Sequence, residues 1–325
     1  MSPLLIMDDK IILFLSRDDA ELQQKIEALS PRLEIVTEAD LEARPELVSE
    51  LEIVYGGLPR ELLPQAKKLR WLQNMGAGVN HLLPLLREAP ADLVVTNVSG
   101  IHAEPITEHM FGMLLQVTRA LSQACEQQKT RQWRGFDFGP HLDMISGKTL
   151  GLLGVGAIGT HAARVGRAFG MKTIGLRRNL EPHPDIETLF SPDNRLDFFA
   201  HCDVVMNTLP LTEKTRNFMA KDEFDALPDG AIVINTGRGA TIDTEAMVQA
   251  LRSNKLKAAL LDVTEPEPLP PDHPLWTLPN VWITPHYSGN HPQYDERADA
   301  IFLDNLKLFL QGEPLHHVVD KAEGY

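Results

Sequence analysis

The sequence predicts an α/β protein built from two doubly wound parallel sheets. Short β-branched or aliphatic runs alternate with amphipathic segments along most of the chain, as in parallel sheets wrapped by helices. A strand-turn-helix unit near the middle carries a glycine pattern specific to such sheets. The length, 325 residues with 43% hydrophobic residues, suits roughly two domains.

The candidate strands of the first part are "IILFL" (11–15), "LEIV" (33–36), "LEIVY" (51–55) and "LVVT" (93–96), separated by charged, helix-prone stretches. They form one open sheet. From Glu104 to Ala124 the pattern around "MFGMLLQVTRAL" predicts a helix. The polar, aromatic-dotted arm "QQKTRQWRGFDFGPH" that follows has no periodicity and reads as a connector. A second series, "TLGLLG", "KTIGL", "DVVMNT", "AIVINT", "AALLD" and "VWIT", predicts the second sheet. In the closing stretch "YDERADAIFLDNLKLFLQGE", Ala298, Ile301, Phe302, Leu306 and Phe309 share one helical face. That face needs an apolar partner, so the helix is expected to return to the first domain. The stripe in "MFGMLLQ" and the rings of Trp276 and Trp282 read as core.

Composition narrows the function. The 45 acidic against 31 basic residues give a formal charge of −14, and no basic run could neutralise a phosphate backbone, so nucleic acid is not an expected partner. Two cysteines, Cys125 and Cys202, are too few for a disulfide framework and fit a reducing compartment. The start "MSPLLIMDDKIILFL" is broken by Asp8, Asp9 and Lys10, unlike a signal peptide, and no apolar run approaches a membrane span. A cytoplasmic protein without membrane contact is expected. His102, His109, His316 and His317 lack metal-ligand spacing and read as core or surface histidines, with no metal.

The strongest motif is "GLLGVGAIGTHAARVGRAFGMKTIGL". Gly154 turns the chain, Gly156 lets backbone approach a pyrophosphate, and Gly159 lets helix pack on strand, with the phosphates at the helix N-terminus. A βαβ unit of about 30 residues encloses it, as this dinucleotide fingerprint requires. Eighteen positions after Gly159 (177 − 159), "TIGLRRN" puts Arg177 where an acid commonly bonds the adenosine ribose. A carboxylate there repels a 2′-phosphate, whereas Arg177 and Arg178 offer it charge and donors, with Asn179 beside them. NADPH is therefore expected over NADH, with NAD as the other possibility.

Three residues at or just beyond later strand ends suit hydride transfer to a 2-oxo acid: Arg238 in "INTGRGA", an acid of "DVTEPEP" and His286 in "ITPHYSG". Arginine forks onto a carboxylate, and histidine donates a proton at neutral pH when an adjacent carboxylate keeps it charged and oriented. Spacing alone leaves Glu265 and Glu267 both open as that acid.

The chain resembles the D-isomer-specific 2-hydroxyacid dehydrogenases, glyoxylate/hydroxypyruvate reductases among them, over nearly its whole length. The resemblance is carried by "NMGAGVNHL", "TNVSGIHAEPITEH", "GKTLGLLGVGAIG", "NTLPLTEKTRN", "GAIVINTGRGATIDTEAMVQAL", "AALLDVTEPEPLP", "PLWTLPNVWITPHYSG" and the closing "VVD". It implies a catalytic set of Arg238, Glu267 and His286, selecting Glu267 over Glu265. It implies cofactor contacts at Gly154, Gly156, Ala157, Ile158, Gly159, Arg177, Arg178, Leu209, Pro210, Thr236 and Asp262. Asp262 would lie near the nicotinamide carboxamide, or else be a strand-end acid bonded to backbone. It also implies that backbone amides of Ala77 and Gly78 bind the substrate carboxylate opposite Arg238.

The architecture implied is a Rossmann cofactor domain (104–290) inserted in a flavodoxin-like substrate domain (1–103 and 291–325), with the active site in the cleft between them. The long helix and the arm with Trp133, Phe136 and Phe138 resemble the family's dimer-forming region, so a homodimer is expected. The expected reaction is reduction of a small 2-oxo acid, with glyoxylate and hydroxypyruvate as candidates, to the D-2-hydroxy acid. The alternative is a cofactor-sensing scaffold, since the family includes transcriptional corepressors; the complete catalytic set favours the enzyme. Formate dehydrogenase is disfavoured because it carries glutamine at the Glu267 position. A phosphoglycerate dehydrogenase with a regulatory domain is disfavoured by the short stretch after the last helix.

Overall fold

Parallel strands with near-continuous apolar sequence need helices on both faces, and both sheets of this protein are of that kind. The computed structural model describes residues 10–86, 89–90 and 92–324. The chain forms two units, Met1–Ile101 with Pro292–Tyr325, and His102–His291. The opening nine residues, read above for a leader, lie outside the described residues.

In the first unit, β1 (Ile11–Leu15), α1 (Ala20–Glu27), β2 (Leu33–Val36), α2 (Glu38–Ala43), β3 (Leu51–Tyr55), β4 (Trp71–Gln73), α3 (Leu83–Leu86) and β5 (Val94–Thr96) follow in turn. The strands pair in parallel in the order β2-β1-β3-β4-β5, the flavodoxin-like order. β4 is absent from the sequence reading, because three residues after the charged "KKLR" are too few to show a period.

The closing helix, Tyr294–Gln311, packs on this sheet. Phe302 and Leu306 are wholly buried with Leu13, Leu15 and Trp71, and Phe302 lies parallel to Tyr55 with ring centroids 4.0 Å apart. Asp299 on the same helix ion-pairs with Arg17 and accepts a 2.6 Å hydrogen bond from the Tyr55 hydroxyl. Desolvation, reinforced by that pairing with Asp299, raises the Tyr55 pKa well above its ordinary value.

The second unit opens with α4 (Ala103–Thr118) and α5 (Leu121–Lys129). Sequence reading made these one helix to Ala124. The chain instead breaks at Ala120, which adopts the left-handed conformation with φ of 53°. Leu121, 49% exposed, continues the apolar pattern only in sequence. After the arm come β6 (Thr149–Leu153), α6 (Ala157–Ala168), β7 (Lys172–Leu176), β8 (Thr188–Phe190), α7 (Arg195–Ala200), β9 (Val204–Asn207), α8 (Lys221–Ala226), β10 (Ala231–Asn235), α9 (Thr244–Arg252), β11 (Leu256–Leu261) and β12 (Val281–Ile283).

Their order is β12-β11-β10-β9-β6-β7-β8, all parallel. Counted from β6, this is the doubly wound dinucleotide-binding order with one further edge strand. The short edge strand β8 was not read from the sequence. Trp276 is a further correction: it is 50% exposed, because Leu275 in the turn Pro274–Trp276 takes the buried position and the indole nitrogen bonds Pro270 O at 2.8 Å. Trp282 packs partly buried against the core. Among the described residues, no helix is long and apolar enough to cross a membrane.

Candidate active site

Because every strand of the second sheet runs the same way, the residues that follow β6, β7, β9, β10, β11 and β12 emerge along one edge. Open α/β sheets bind ligands there. The turn after β6 is built from glycines with separable roles. Gly154 has φ of +98°, which side chains rarely adopt, and its Cβ would meet Thr208 Oγ1 at 2.9 Å. A Cβ on Gly159 would stand 2.1 Å from Gly154 O, so helix α6 can approach the strand only without one. A Cβ on Gly156 would meet nothing within 4 Å, so no protein packing demands glycine there. The bare position leaves the Ala157, Ile158 and Gly159 amides of the first helical turn accessible, which is the arrangement a pyrophosphate needs. These residues fit a dinucleotide.

Arg177 follows β7 directly, and its amide bonds Phe190 O at 3.1 Å. Its guanidinium donates to Glu181 O, while its Nε is buried without a hydrogen-bond partner. Asn179 closes the turn, its Oδ1 accepting from Glu181 N at 2.9 Å and its Nδ2 lying 3.3 Å from the Glu181 carboxylate. Arg178 is exposed. No acid occupies the strand end itself; the nearby acid, Glu181, is engaged with Asn179.

Arg238 is held from both sides. A Cβ on Gly237 would lie 2.7 Å from Leu209 O, and one on Gly239 would lie 1.9 Å from Thr264 O, so the "GRG" turn is wedged between two other loops. Arg238 Nη1 donates to Gly237 O at 2.7 Å, and among the described residues no carboxylate lies within ion-pair distance of it. Burial lowers its pKa, against the opposing charge of Glu267. A guanidinium stays charged regardless, so a half-buried cation lacks an ionic partner within its unit.

His286 and Glu267 meet directly, Nδ1 to Oε1 at 2.6 Å. An ionised carboxylate only accepts, so Nδ1 carries the hydrogen and Nε2 is the ring nitrogen left for chemistry. His286 adopts φ of 52°, a costly conformation for a side chain of this size. Asp262 secures it: its carbonyl takes the His286 amide at 2.9 Å, and its carboxylate takes Tyr287 N at 3.2 Å and Ser288 N at 3.1 Å. Of the two sequence-derived readings of Asp262, the structure displays these backbone bonds.

Several supporting residues went unread in the sequence, and His109 was read only as a core or surface histidine. Thr284 Oγ1 donates to Asp262 Oδ1 at 2.6 Å, so it must accept from His109 Nε2 at 2.9 Å, making a relay beneath the His286 loop. Burial lowers the His109 pKa, which keeps that ring neutral. Asn207 and Asn235 end β9 and β10 side by side: Asn207 Nδ2 donates to Asn235 Oδ1 at 3.1 Å, while Asn207 Oδ1 holds Leu209 N and Asn235 Nδ2 holds Arg238 O, both at 3.1 Å. The repeated "NT" in "VVMNT" and "IVINT" was the available signal. Pro210 O accepts from Thr215 Oγ1 at 2.6 Å, and the buried Thr236 turns its hydroxyl to Met110 Sδ at 3.3 Å. Ala77 and Gly78 lie in the first unit, in the half-buried loop after β4.

A parallel sheet of this order, with a glycine turn fitted to phosphates, defines a dinucleotide-binding oxidoreductase. A family model described as D-isomer specific 2-hydroxyacid dehydrogenase, NAD binding domain, matches residues 111–288. The chain is 33% identical to a glyoxylate reductase of Aeropyrum pernix over 80% of its length and 79% of that protein's. Among solved structures, a D-isomer specific 2-hydroxyacid dehydrogenase family protein of Aeromonas salmonicida superposes with TM-score 0.84 at 35% identity, covering 96% of this chain and 99% of that one. An NADPH-dependent glyoxylate/hydroxypyruvate reductase of Sinorhizobium meliloti, in complex with NADP and sulfate, gives TM-score 0.82 at 27% identity, covering 97% and 100%. The chain belongs to the D-isomer-specific 2-hydroxyacid dehydrogenase family.

Proposed function

We propose that the chain reduces a small 2-oxo acid, glyoxylate or hydroxypyruvate, to the D-2-hydroxy acid with NADPH. The observation that carries this reading is the 2.6 Å His286–Glu267 contact, in the same unit as an arginine without an ionic partner. When bound, the reduced nicotinamide supplies a hydride to the carbonyl carbon. Arg238 grips the carboxylate with its fixed fork, aided by the Ala77 and Gly78 amides. His286 Nε2 donates the proton to the carbonyl oxygen, and Glu267 holds the ring in the donating tautomer and balances its charge. Gly154, Gly156, Ala157, Ile158 and Gly159 take the pyrophosphate, with Leu209, Pro210, Thr236 and Asp262 along the cofactor.

NADPH is favoured because Arg177 and Arg178 follow β7 where an acid would repel a 2′-phosphate. The cofactor named for the Sinorhizobium meliloti relative supports this. A homodimer through the long helical stretch from Glu104 and the arm is supported by apolar exposure there: Trp133 in the arm is 100% exposed and Leu121 49%. Phe138 is partly buried, and the Phe136 side chain lies outside the described residues. Cys125 and Cys202 are unpaired, in keeping with a cytoplasmic enzyme. Under this reading Met1–Ile101 with Pro292–Tyr325 is the substrate domain.

The test is a panel of 2-oxo acids assayed with each reduced cofactor. Glyoxylate and hydroxypyruvate should be turned over fastest, and with NADPH. Equal or better efficiency with NADH would remove the role given to Arg177, and no turnover of any 2-oxo acid would remove the reaction.

A further inference from the structure

The loop Asn74–Gly78 contains two glycines and should be among the most pliable in the chain. It is instead held at every carbonyl by a side chain of its own unit. Gln73 Nε2 donates to Asn74 O at 3.2 Å, and the Tyr294 hydroxyl to Met75 O at 2.7 Å. Asn74 Nδ2 donates to Gly76 O at 2.7 Å and to Gly78 O at 3.1 Å, and Asn97 Nδ2 to Ala77 O at 2.9 Å. Five consecutive carbonyls are thus tied down.

The peptide plane makes this consequential. The C=O of one residue and the N–H of the next lie in one rigid plane and point opposite ways. Fixing Gly76 O therefore fixes the Ala77 amide, and fixing Ala77 O fixes the Gly78 amide, each aimed away from the asparagine that holds it. Among the described residues, no acceptor takes the N–H of Gly76, Ala77 or Gly78. We propose that Asn74, Asn97 and Tyr294 are positioning residues that turn these amides outward as a preorganised receptor for the carboxylate of the 2-oxo acid. This rests on the reading of the loop as part of the carboxylate site.

The holding side chains are themselves fixed. Asn74 and Asn97 are each only 6% exposed. Asn97 Oδ1 accepts from Ser99 N at 3.0 Å, which leaves Nδ2 as the end that meets Ala77 O and settles the orientation of the amide. Asn74 N is paired to Thr96 O at 2.8 Å. Beneath them Gln73, wholly buried, accepts at Oε1 from Thr96 Oγ1 at 2.7 Å, which in turn accepts from Trp71 Nε1 at 2.8 Å. Donors aimed before substrate arrives need no reorganisation when it binds, which is how an anion site gains affinity. A loop that only needed its carbonyls satisfied could leave them to solvent at a half-buried position.

The experiment compares kcat/KM for glyoxylate with that for its methyl ester, at saturating NADPH, in wild type, Asn97→Ala and Tyr294→Phe. Wild type should prefer the acid strongly. Asn97→Ala should lose roughly tenfold of that preference through KM, and Tyr294→Phe roughly threefold, with NADPH affinity and kcat little changed. A merely structural role would instead lower both substrates in parallel and leave their ratio intact, which would overturn the proposal. Should Asn97→Ala fail to fold, Tyr294→Phe, lacking only a hydroxyl, decides the question alone. If wild type shows no preference for the acid, the carboxylate reading of the site fails; a wild-type preference that both variants retain sinks the positioning role and spares that reading.

Discussion

Replacing Glu267 by Gln keeps the size and a hydrogen-bond acceptor for His286 Nδ1 but removes the charge. Two unit charges about 4 Å apart attract by ~1 kcal/mol in water and ~4 kcal/mol at an effective dielectric of 20. The side chains of His286 and Glu267 are 48% and 42% exposed, which places the pair between those limits. A loss of about 2 kcal/mol falls on the proton-loaded ring, the form that reacts, and lowers the rate of reduction by up to roughly 30-fold. The assay is a single-turnover measurement with glyoxylate and prebound NADPH. NADPH affinity, measured by fluorescence titration, should not move, because the Glu267 carboxylate is engaged with His286. A rate within twofold of wild type would show that the Glu267 charge does not support proton donation, and an equal loss of cofactor binding would mark Glu267 as structural.

Arg238→Lys keeps the charge and loses the fork, so kcat/KM for the 2-oxo acid should fall by about 100-fold while NADPH affinity holds; comparable loss of cofactor binding would mark Arg238 as structural. Arg177→Asp should move preference toward NADH, with the loss on NADPH affinity and a weaker effect in high salt; unchanged preference would count against the 2′-phosphate role. Burial, with the charges of His291 and Arg238, lowers the His102 pKa to about 4. The unfolded chain then binds the proton first, so stability is full above about pH 6.5 and falls as pH drops toward 4, by at most about 1.4 kcal/mol per pH unit. His102→Gln should flatten that slope in denaturant unfolding between pH 7 and 4.5, and an unaltered slope would contradict the assignment.

Strands β1, β2 and β3 were legible to the residue, because each is a run of four or five largely apolar residues between charged segments. β4 and β8 have three residues each, too few for a period, and their pairing comes from neighbours distant in sequence. The break at Ala120 was hidden by the apolar pattern running through it. In the site, the strand-end positions of Arg238 and His286 were readable because parallel strands bring successive strand ends to one edge, whereas Glu267 was distinguished from Glu265 only by the family resemblance. The bonds that hold them were not readable. Asn207 reaches Asn235, and Thr284 reaches Asp262, across turns whose paths no local pattern reveals. Tyr294 meets Met75 from 219 residues away.

In the reaction proposed, His286 delivers the proton while Arg238 grips the substrate. The most direct measurement is the single-turnover rate of His286→Ala on glyoxylate with NADPH already bound. Slowing by about 100-fold or more is expected, with NADPH binding intact. Turnover near the wild-type rate would contradict that role for His286.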